Sequence, residues 1–513
     1  ERGRQRVSGP EILLVAAVLV AAGVALSMLA GGEEGDPPAF SPPNDGRPAI
    51  AVLPLENHSP NPDDAWFADG MREQLAATLA KVSGLSVRGR MSVMRYRDDP
   101  KPLPEVAREL GVGFVIEGNV RIAGEQVSFT AQLMDATRDE SLWAGEFDRR
   151  FSVEEMVSTH REIAEQVVSQ VRAFLTLDDE ARIASQPTAS TEAFQEYLKG
   201  RFHWTTRTPQ GLETARAHFQ RALQLDSTYA LAWAGLADCF TVTTYYSGEL
   251  DPGEAFRLGE SAAEEALRLD PDLAAAHASL GFLKMISRRD WAGAEASLRR
   301  AIALDPAYSY AHHWLADLLS YSQRFEEALE EGRKAIELDP LAFATNYSQA
   351  ARLSGGRNFE AAVAQYERTI DLYPHIFLGW AGLSETLLAM GDVEGAIRNR
   401  SRSDQLFGID PVLSETHLDM ISDFHRTGIP GSLPPAFDTL SSFPPGWRAT
   451  AAMYVGDTAK ALAWLEEATV GNWPDVLALR NWALFDPLRD HPRFQALIEE
   501  YFGDMETSGS REP

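Results

Sequence analysis

Cysteine is almost absent: Cys239 stands alone in 513 residues, which excludes an internal disulfide and any cysteine-rich metal site. In "LADCF" it reads as a small buried hydrophobe on a helix. Positive charge is also scarce. Lys and Arg total 47 against 75 Asp and Glu, a formal charge of −28, and a surface that negative repels phosphate backbones and argues against a nucleic-acid partner for this segment. Familiar catalytic motifs are missing too. There is no GxxxxGK[ST], HExxH, GxSxG or protein-kinase signature. "GVGFVIEG" lacks GxGxxG spacing and does not open a helix. His312 and His313 are adjacent, so on a helix they point about 100° apart, whereas a shared metal needs a spacing of three or four. Carboxylates such as those of "FEEALEEGRKAIE" belong to solvated helix faces. The sequence predicts no catalytic residue, no metal and no cofactor in this segment.

Long apolar runs are represented once, by "ILLVAAVLVAAGVALSMLA" from Ile12 to Ala30. At about 1.5 Å per residue such a helix spans the hydrocarbon core of a bilayer. Arg2, Arg4 and Arg6 precede it, and Glu33, Glu34 and Asp36 follow. The positive-inside rule then predicts a cytoplasmic juxtamembrane stretch at 1–11, a transmembrane helix at 12–30 and everything beyond on the other side. A cleaved signal peptide is the competing reading, but its apolar region is usually about 7–15 residues. Residues 31–48 read as an extended Gly/Pro/acid linker.

Residues 49–175 alternate strand and helix patterns. "AIAVLPLEN" is a continuous apolar run, the mark of a strand buried on both faces. Met71, Leu75, Leu79 and Val82 recur at helical spacing. "LSVRGR" reads as a second strand and "LPEVARELGV" as a short helix. "GFVIEGNVRI" and "QVSFTAQLMDA" alternate strictly around the turn "AGE" and form a hairpin, with Phe114, Ile116, Val120 and Ile122 on one face and Val127, Phe129, Ala131 and Leu133 likewise. "SLWAGEFDRR" adds a strand, and Ser152–Leu175 a closing helix with Met156, Ile163, Val167, Val171 and Phe174 inward. The expected order is βαβαβββα, an α/β class in which helices pack on a sheet.

Three blocks here, "IAVLPLENHSPNPDDAWFADGMREQL", "ELGVGFVIEGNVRIAGEQVSFTAQLMDA" and "LWAGEFDR", resemble in order the TolB-like (FlgO-type) amino-terminal domain. The turn "ATRDESLW" departs from the glycine usual in that family, which affects loop shape. The resemblance implies a non-catalytic domain concerned with protein contacts in the cell envelope, with no active site to carry over.

Beyond it the chain repeats itself. Leu225, Leu269, Leu304, Leu338 and Leu372 each open an LDP-like triplet, at intervals of 44, 35, 34 and 34 residues. Within the period come Trp233-x2-Leu236-Ala237-x2-Phe240, His277-x2-Leu280-Gly281 and Trp380-x2-Leu383-Ser384. Second helices carry Ala215-x3-Phe219, Ala294-x3-Leu298 and Ala362-x3-Tyr366. This pattern resembles tetratricopeptide repeats, and implies an all-α superhelix over 190–411 that binds a protein or peptide in a groove lined by first helices. Counted from the motif, the groove-facing candidates are Tyr310, His313, Asp317, Tyr321, Tyr347 and Glu385. The 44-residue interval holds an insertion with Tyr245 and Tyr246. Residues 412–505 read as degenerate repeats and capping helices. Taken with the apolar span, these resemblances imply a single-pass protein of the bacterial cytoplasmic (inner) membrane, its bulk extracytoplasmic or periplasmic. It would be fused to a cytoplasmic output domain: a serine/threonine kinase first, a cyclase or winged-helix regulator otherwise. The alternative is a membrane-tethered envelope scaffold with no output domain.

Overall fold

A computed structural model describes residues 47–173, 175–206, 208–246, 251–437, 445–470, 477 and 479–508, all within the compact unit Pro42–Pro513. The juxtamembrane, transmembrane and most of the linker assignments, and Phe174, fall outside these residues. Among the described residues no helix is long and apolar enough to cross a membrane. The expected single-pass inner-membrane location is corrected on that finding. The described helices bury their apolar residues against other helices or the sheet, and none presents an unbroken apolar run to lipid.

The chain opens with β1 (Ala49–Val52), β2 (Glu56–Asn57), α1 (Ala65–Ala80), β3 (Ser86–Val87), a short α2 (Arg90–Val93) and α3 (Leu103–Leu110). Then come β4 (Phe114–Ala123), β5 (Gln126–Asp135), β6 (Glu140–Arg150) and α4 (Val153–Val171). The sheet order is β3-β1-β4-β5-β6, with β2 beside β4. β1 runs parallel to β3 and β4, and β4, β5 and β6 form an antiparallel meander. All four residues of β1 are buried, as its continuous apolar run requires. Ile116, Val120, Val127, Phe129, Ala131 and Leu133 pack with α1 and α4, while Ala49, Ala51 and Val115 face α3 from the other side. Ala123 pairs with Gln126, so the turn is Gly124-Glu125, and Gly124 takes φ +64°, a value glycine adopts without strain. The strand expected at "LSVRGR" is cut to Ser86–Val87. Arg88 turns away to donate to the carbonyls of Leu110 (2.7 Å) and Gly111 (2.7 Å), and Gly89 N donates to Leu338 O (2.7 Å).

After α5 (Leu177–Ile183), twelve helices pair into six antiparallel hairpins. They are α6 (Thr191–Trp204) with α7 (Pro209–Leu225), α8 (Ala230–Tyr246) with α9 (Pro252–Leu269), and α10 (Ala274–Leu283) with α11 (Trp291–Leu304). Then follow α12 (Ser309–Tyr321) with α13 (Phe325–Leu338), α14 (Phe343–Gly355) with α15 (Phe359–Leu372), and α16 (Phe377–Ala389) with α17 (Val393–Phe407). Ala215, Ala294, Ala328 and Ala362 are fully buried where paired helices touch. At Gly382 an added Cβ would come 2.4 Å from the Tyr366 ring. The recurring triplet has a local cause. Asp226, Asp270 and Asp305 accept from the backbone N–H two residues on, at 2.9, 3.1 and 2.9 Å, which holds a turn. The first turn of each next helix then reaches back. Side-chain N–H groups of Trp233, His277, His312, Asn346 and Trp380 donate to the carbonyl six residues earlier, at 3.0, 2.8, 3.1, 2.9 and 3.0 Å. At the turns of Asp226, Asp270 and Asp305 two bonds thus fix the angle between one hairpin and the next, and at the two later turns the reach-back bond remains.

Asp339 breaks this rule. Its carboxylate accepts from Ser92 N (2.7 Å), Ser92 Oγ and Met91 N (3.3 Å) of the α/β module, and Ser92 Oγ accepts from Leu341 N (2.8 Å). Beside it Glu73 on α1 binds Arg90 and Arg201 (2.7 Å), and Arg201 bridges on to Asp238 (3.0 Å). One apolar cluster runs from Ile50, Met71 and Ile163 into Phe194, Leu198 and Phe219 of the first hairpin. The α/β module and the repeats therefore share a core.

The far end also folds back. α18 (Pro411–Thr427), α19 (Pro445–Tyr454), α20 (Thr458–Val470) and α21 (Pro492–Ser508) close the chain, but Ala483–Leu488 is a 3₁₀ turn containing Pro487 where a capping helix was expected. Arg289, Gln323, Arg357 and Gly391 occupy the bend inside four successive hairpins at a 34-residue spacing, with φ of 53, 62, 64 and 85°. The three non-glycines each hold the returning segment: Arg289 over the Tyr501 ring (3.6 Å), Gln323 on Asn481, Arg357 on Asp486 (2.6 Å). Such left-handed residues cost roughly 1–2 kcal/mol, and these contacts offset that cost.

Two outcomes are expected. Ala328→Trp overpacks the α12–α13 contact and costs about 1–3 kcal/mol, with hydrogen exchange rising first in the flanking hairpins. Burial holds the Asp339 carboxyl up at about 6 despite the Ser92 donors and nearby Arg72. A raised acid contributes its stability below the unfolded pKa of 3.8 and loses it as pH rises through about 6. Asp339→Asn should therefore gain on the parent by about 2 kcal/mol between pH 4 and pH 7 in denaturant titrations.

Candidate functional site

The six residues singled out from the sequence lie on the first helices of three successive hairpins, α12, α14 and α16. Tyr310, His313, Asp317 and Tyr321 fall three or four apart on α12 and so form one stripe. Tyr347 continues it on α14 and Glu385 on α16. His313 is buried, and the other five are partly buried. Several also serve packing. Tyr310 meets Trp204 edge-on (6.5 Å) and Trp314 at 5.6 Å, while Tyr347 stacks on Phe343 (5.6 Å) and meets Tyr366 edge-on (5.9 Å).

The centre of the face is held by a residue that the repeat pattern does not mark. Arg352 reaches from α14 to α12 and donates to His313 O (3.1 Å), His313 Nδ1 (3.2 Å) and Asp317 Oδ1 (2.9 Å), with Gln349 Oε1 at 3.2 Å. A guanidinium has no lone pair to offer, so His313 Nδ1 is the acceptor and the ring is neutral. Burial first, then the Arg352 charge, lowers His313 to about 4 against the pull of Asp317. His313 and Asp317 are thus engaged within the protein. Tyr321, Tyr347 and Glu385 remain the accessible part.

A second wall comes from far along the chain. Asn481 Nδ2 donates to Ser320 O (2.9 Å) and Ser320 Oγ (3.1 Å), and the neighbouring Trp482 is partly buried. Burial pushes the Glu385 carboxyl up to about 7, although the Arg400 charge pulls it down. Burial first and the Glu385 charge second push the Tyr347 phenol up. "LRNWALFDP" gave no local signal of this role, because nothing in its spacing links it to a helix some hundred residues earlier. Among the described residues no group of three or more His, Cys, Asp or Glu could hold a metal ion.

Residues 286–343 match the family model described as tetratricopeptide repeat. The chain is 31% identical over 302 residues to a protein of Rhizobium meliloti (strain 1021) named putative adenylate cyclase 3, an alignment covering 57% of this chain. It spans 43% of the length of that relative. Among solved structures it is similar to the type IV pilus biogenesis factor PilW (16% identity, 43% of this chain and 97% of that one, TM-score 0.36) and to YrrB, a TPR protein with an unusual peptide-binding site (15% identity, 39% and 96%, TM-score 0.29). The chain carries tetratricopeptide repeats at residues 286–343, and the helical hairpins on either side continue the same pairing.

Replacing Arg352 by Ala leaves the Asp317 carboxylate and His313 without their buried partner. The expected cost is about 3 kcal/mol in chemical denaturation. The imidazole of His313, freed of the adjacent positive charge, should titrate at a higher pH by NMR than in the parent.

Proposed function

We propose that this segment is the non-catalytic, protein-binding region of a larger signalling protein, and that it takes a partner protein or peptide along the inner face of α12, α14 and α16. The observation that carries the reading is the stripe Tyr321–Tyr347–Glu385: partly accessible aromatic and acidic side chains on three successive first helices of a tetratricopeptide superhelix. Aromatic residues of this kind supply much of the energy of protein interfaces. The acidic balance of the chain favours a protein over a nucleic acid. The α/β module, taken as TolB-like from its three sequence blocks, adds a second contact surface. Among the output domains that such a region could serve, the name of the Rhizobium relative favours an adenylate cyclase over a kinase or a winged-helix regulator.

Partners captured on the full chain from an extract of the source organism, then purified, should protect amides of α12, α14 and α16 from hydrogen exchange. Tyr321→Ala with Tyr347→Ala should weaken that partner about tenfold or more. Protection confined to the α/β module, with the double variant binding as the parent does, would remove the inner face from the function.

A further inference from the structure

The sheet of the α/β module ends on a strand with one side unpaired. β6 is last in the order β3-β1-β4-β5-β6 and runs for 11 residues, long for an exposed edge. In an antiparallel ladder only alternate residues exchange bonds with a given neighbour. Phe151 N donates to Glu125 O (2.7 Å), one step beyond the Gln126–Arg150 pair. By the same alternation Phe147 and Gly145 bond β5, and the N–H and C=O groups of Ala144, Glu146 and Asp148 point away from the sheet. Ala136 N donates to Gly113 O (3.0 Å) on the far side of β5, which agrees with that phase. Among the described residues no other element gives this edge a backbone partner. Only the Arg149 side chain donates to Asp148 O (3.2 Å).

The side chains of β6 complement a second copy of the same strand. Its start is acidic, Asp139-Glu140, and its end basic, Arg149-Arg150. An antiparallel copy sets the start of each strand beside the end of the other, whereas a parallel copy sets like against like. Glu140 and Arg150 are exposed and, among the described residues, form no ion pair. The register is selected by the charges between them. With a formal charge of −28 the chain repels its copy, so facing acids are the arrangement to avoid. A twofold axis at Glu146 or Asp148 opposes that acid to itself, and an axis at Phe147 sets Glu146 against Asp148. An axis at Ala144 brings Asp148 towards Glu140. An axis at Gly145 sets Glu146 against Ala144 and Trp143 against Phe147, and no acid meets an acid. Gly145 also suits the axis sterically. The Trp143 and Phe147 rings lie 6.3 Å apart beside it, and an added Cβ would come 2.6 Å from Trp143 and 3.0 Å from Phe147. The aromatic rings of two copies would then meet across the axis, a favourable cross-strand pairing.

We propose that β6 is a self-association edge: two copies of the chain pair their β6 strands antiparallel about Gly145 and join their sheets into one. Ala144 of each copy exchanges N–H and C=O bonds with Glu146 of the other, which uses the groups that point outward. The bulge beside Leu133 and Met134 ends the regular outward ladder near Trp143, so the paired core is Trp143–Phe147 with the charged ends flanking it. This surface goes beyond the inner-face reading and does not rest on it.

Sedimentation equilibrium of the full chain across the micromolar range should show a reversible monomer–dimer equilibrium. Ala144→Pro removes an outward N–H and no bond to β5, and should weaken the dimer about tenfold or more at an unchanged melting temperature. Glu140→Arg should weaken it several-fold, and adding Arg150→Glu to the same chain should restore it, because each end faces the other across the axis. The charge exchange keeps the test decisive if Ala144→Pro does not fold. Amides of Ala144 and Glu146 should gain protection from hydrogen exchange as concentration rises, while those of Gly145 and Phe147 stay protected throughout. A chain that remains monomeric across this range overturns the proposal, as does a dimer that keeps its affinity in both Ala144→Pro and Glu140→Arg. Protection of Ala144 and Glu146 by a different protein on a monomeric chain would also overturn it and give the edge to another partner.

Discussion

The turn between one repeat and the next governs this structure. At the turns of Asp270 and Asp305 a carboxylate accepts a backbone N–H two residues on, and a side-chain N–H from the following helix reaches back to the carbonyl of the intervening proline. Because proline has no N–H, it ends the preceding helix without stranding a donor. Because its carbonyl is then bonded, the next helix leaves at a fixed angle. Small residues such as Ala328 and Gly382 let paired helices approach, but the turn decides where the next pair goes. At Asp339 the same carboxylate serves a different partner, Ser92 of the α/β module. One residue type in one repeated turn thus both propagates the superhelix and docks the module that precedes it.

That double use explains what the sequence could and could not show. Period-34 spacing, strict alternation through Phe114–Ile122 and Val127–Leu133, and the helical stripe of α4 are local patterns, legible because each residue's role is set by neighbours within a few positions. Asp339 looks identical to Asp305 in its triplet, and only the fold shows that one caps its own turn and the other bonds 247 residues away. The left-handed bends give a subtler case. Arg289, Gln323 and Arg357 stand where glycine is easier, and Gly391 follows in phase. Neither the left-handed conformation at these positions nor the returning segment that compensates it follows from the repeat spacing.

The inner face has the same divided character. Tyr310, Tyr347 and His313 were assigned to it by counting from the repeat motif, and all three lie on first helices of their hairpins. Their partners did not follow from it. Arg352 ties down His313 and Asp317 across two helices, leaving a shorter accessible stretch than the sequence implied. Trp482 supplies a wall from beyond the regular repeats. The membrane reading failed for a different reason: it rested on a segment outside the described residues, and no described helix supplies a span.

The α/β module, the repeats and the returning segment are bonded to one another and should unfold as one body. Equilibrium urea unfolding of the full chain, followed by amide exchange at β4–β5, α6–α7 and α12–α14, tests this most directly. Exchange of the slowest amides in all three regions should report one common free energy and one urea dependence, as a shared core requires. Protection that falls in α12–α14 at low urea while β4–β5 and α6–α7 stay intact would show a modular array, and would contradict the role given to Asp339.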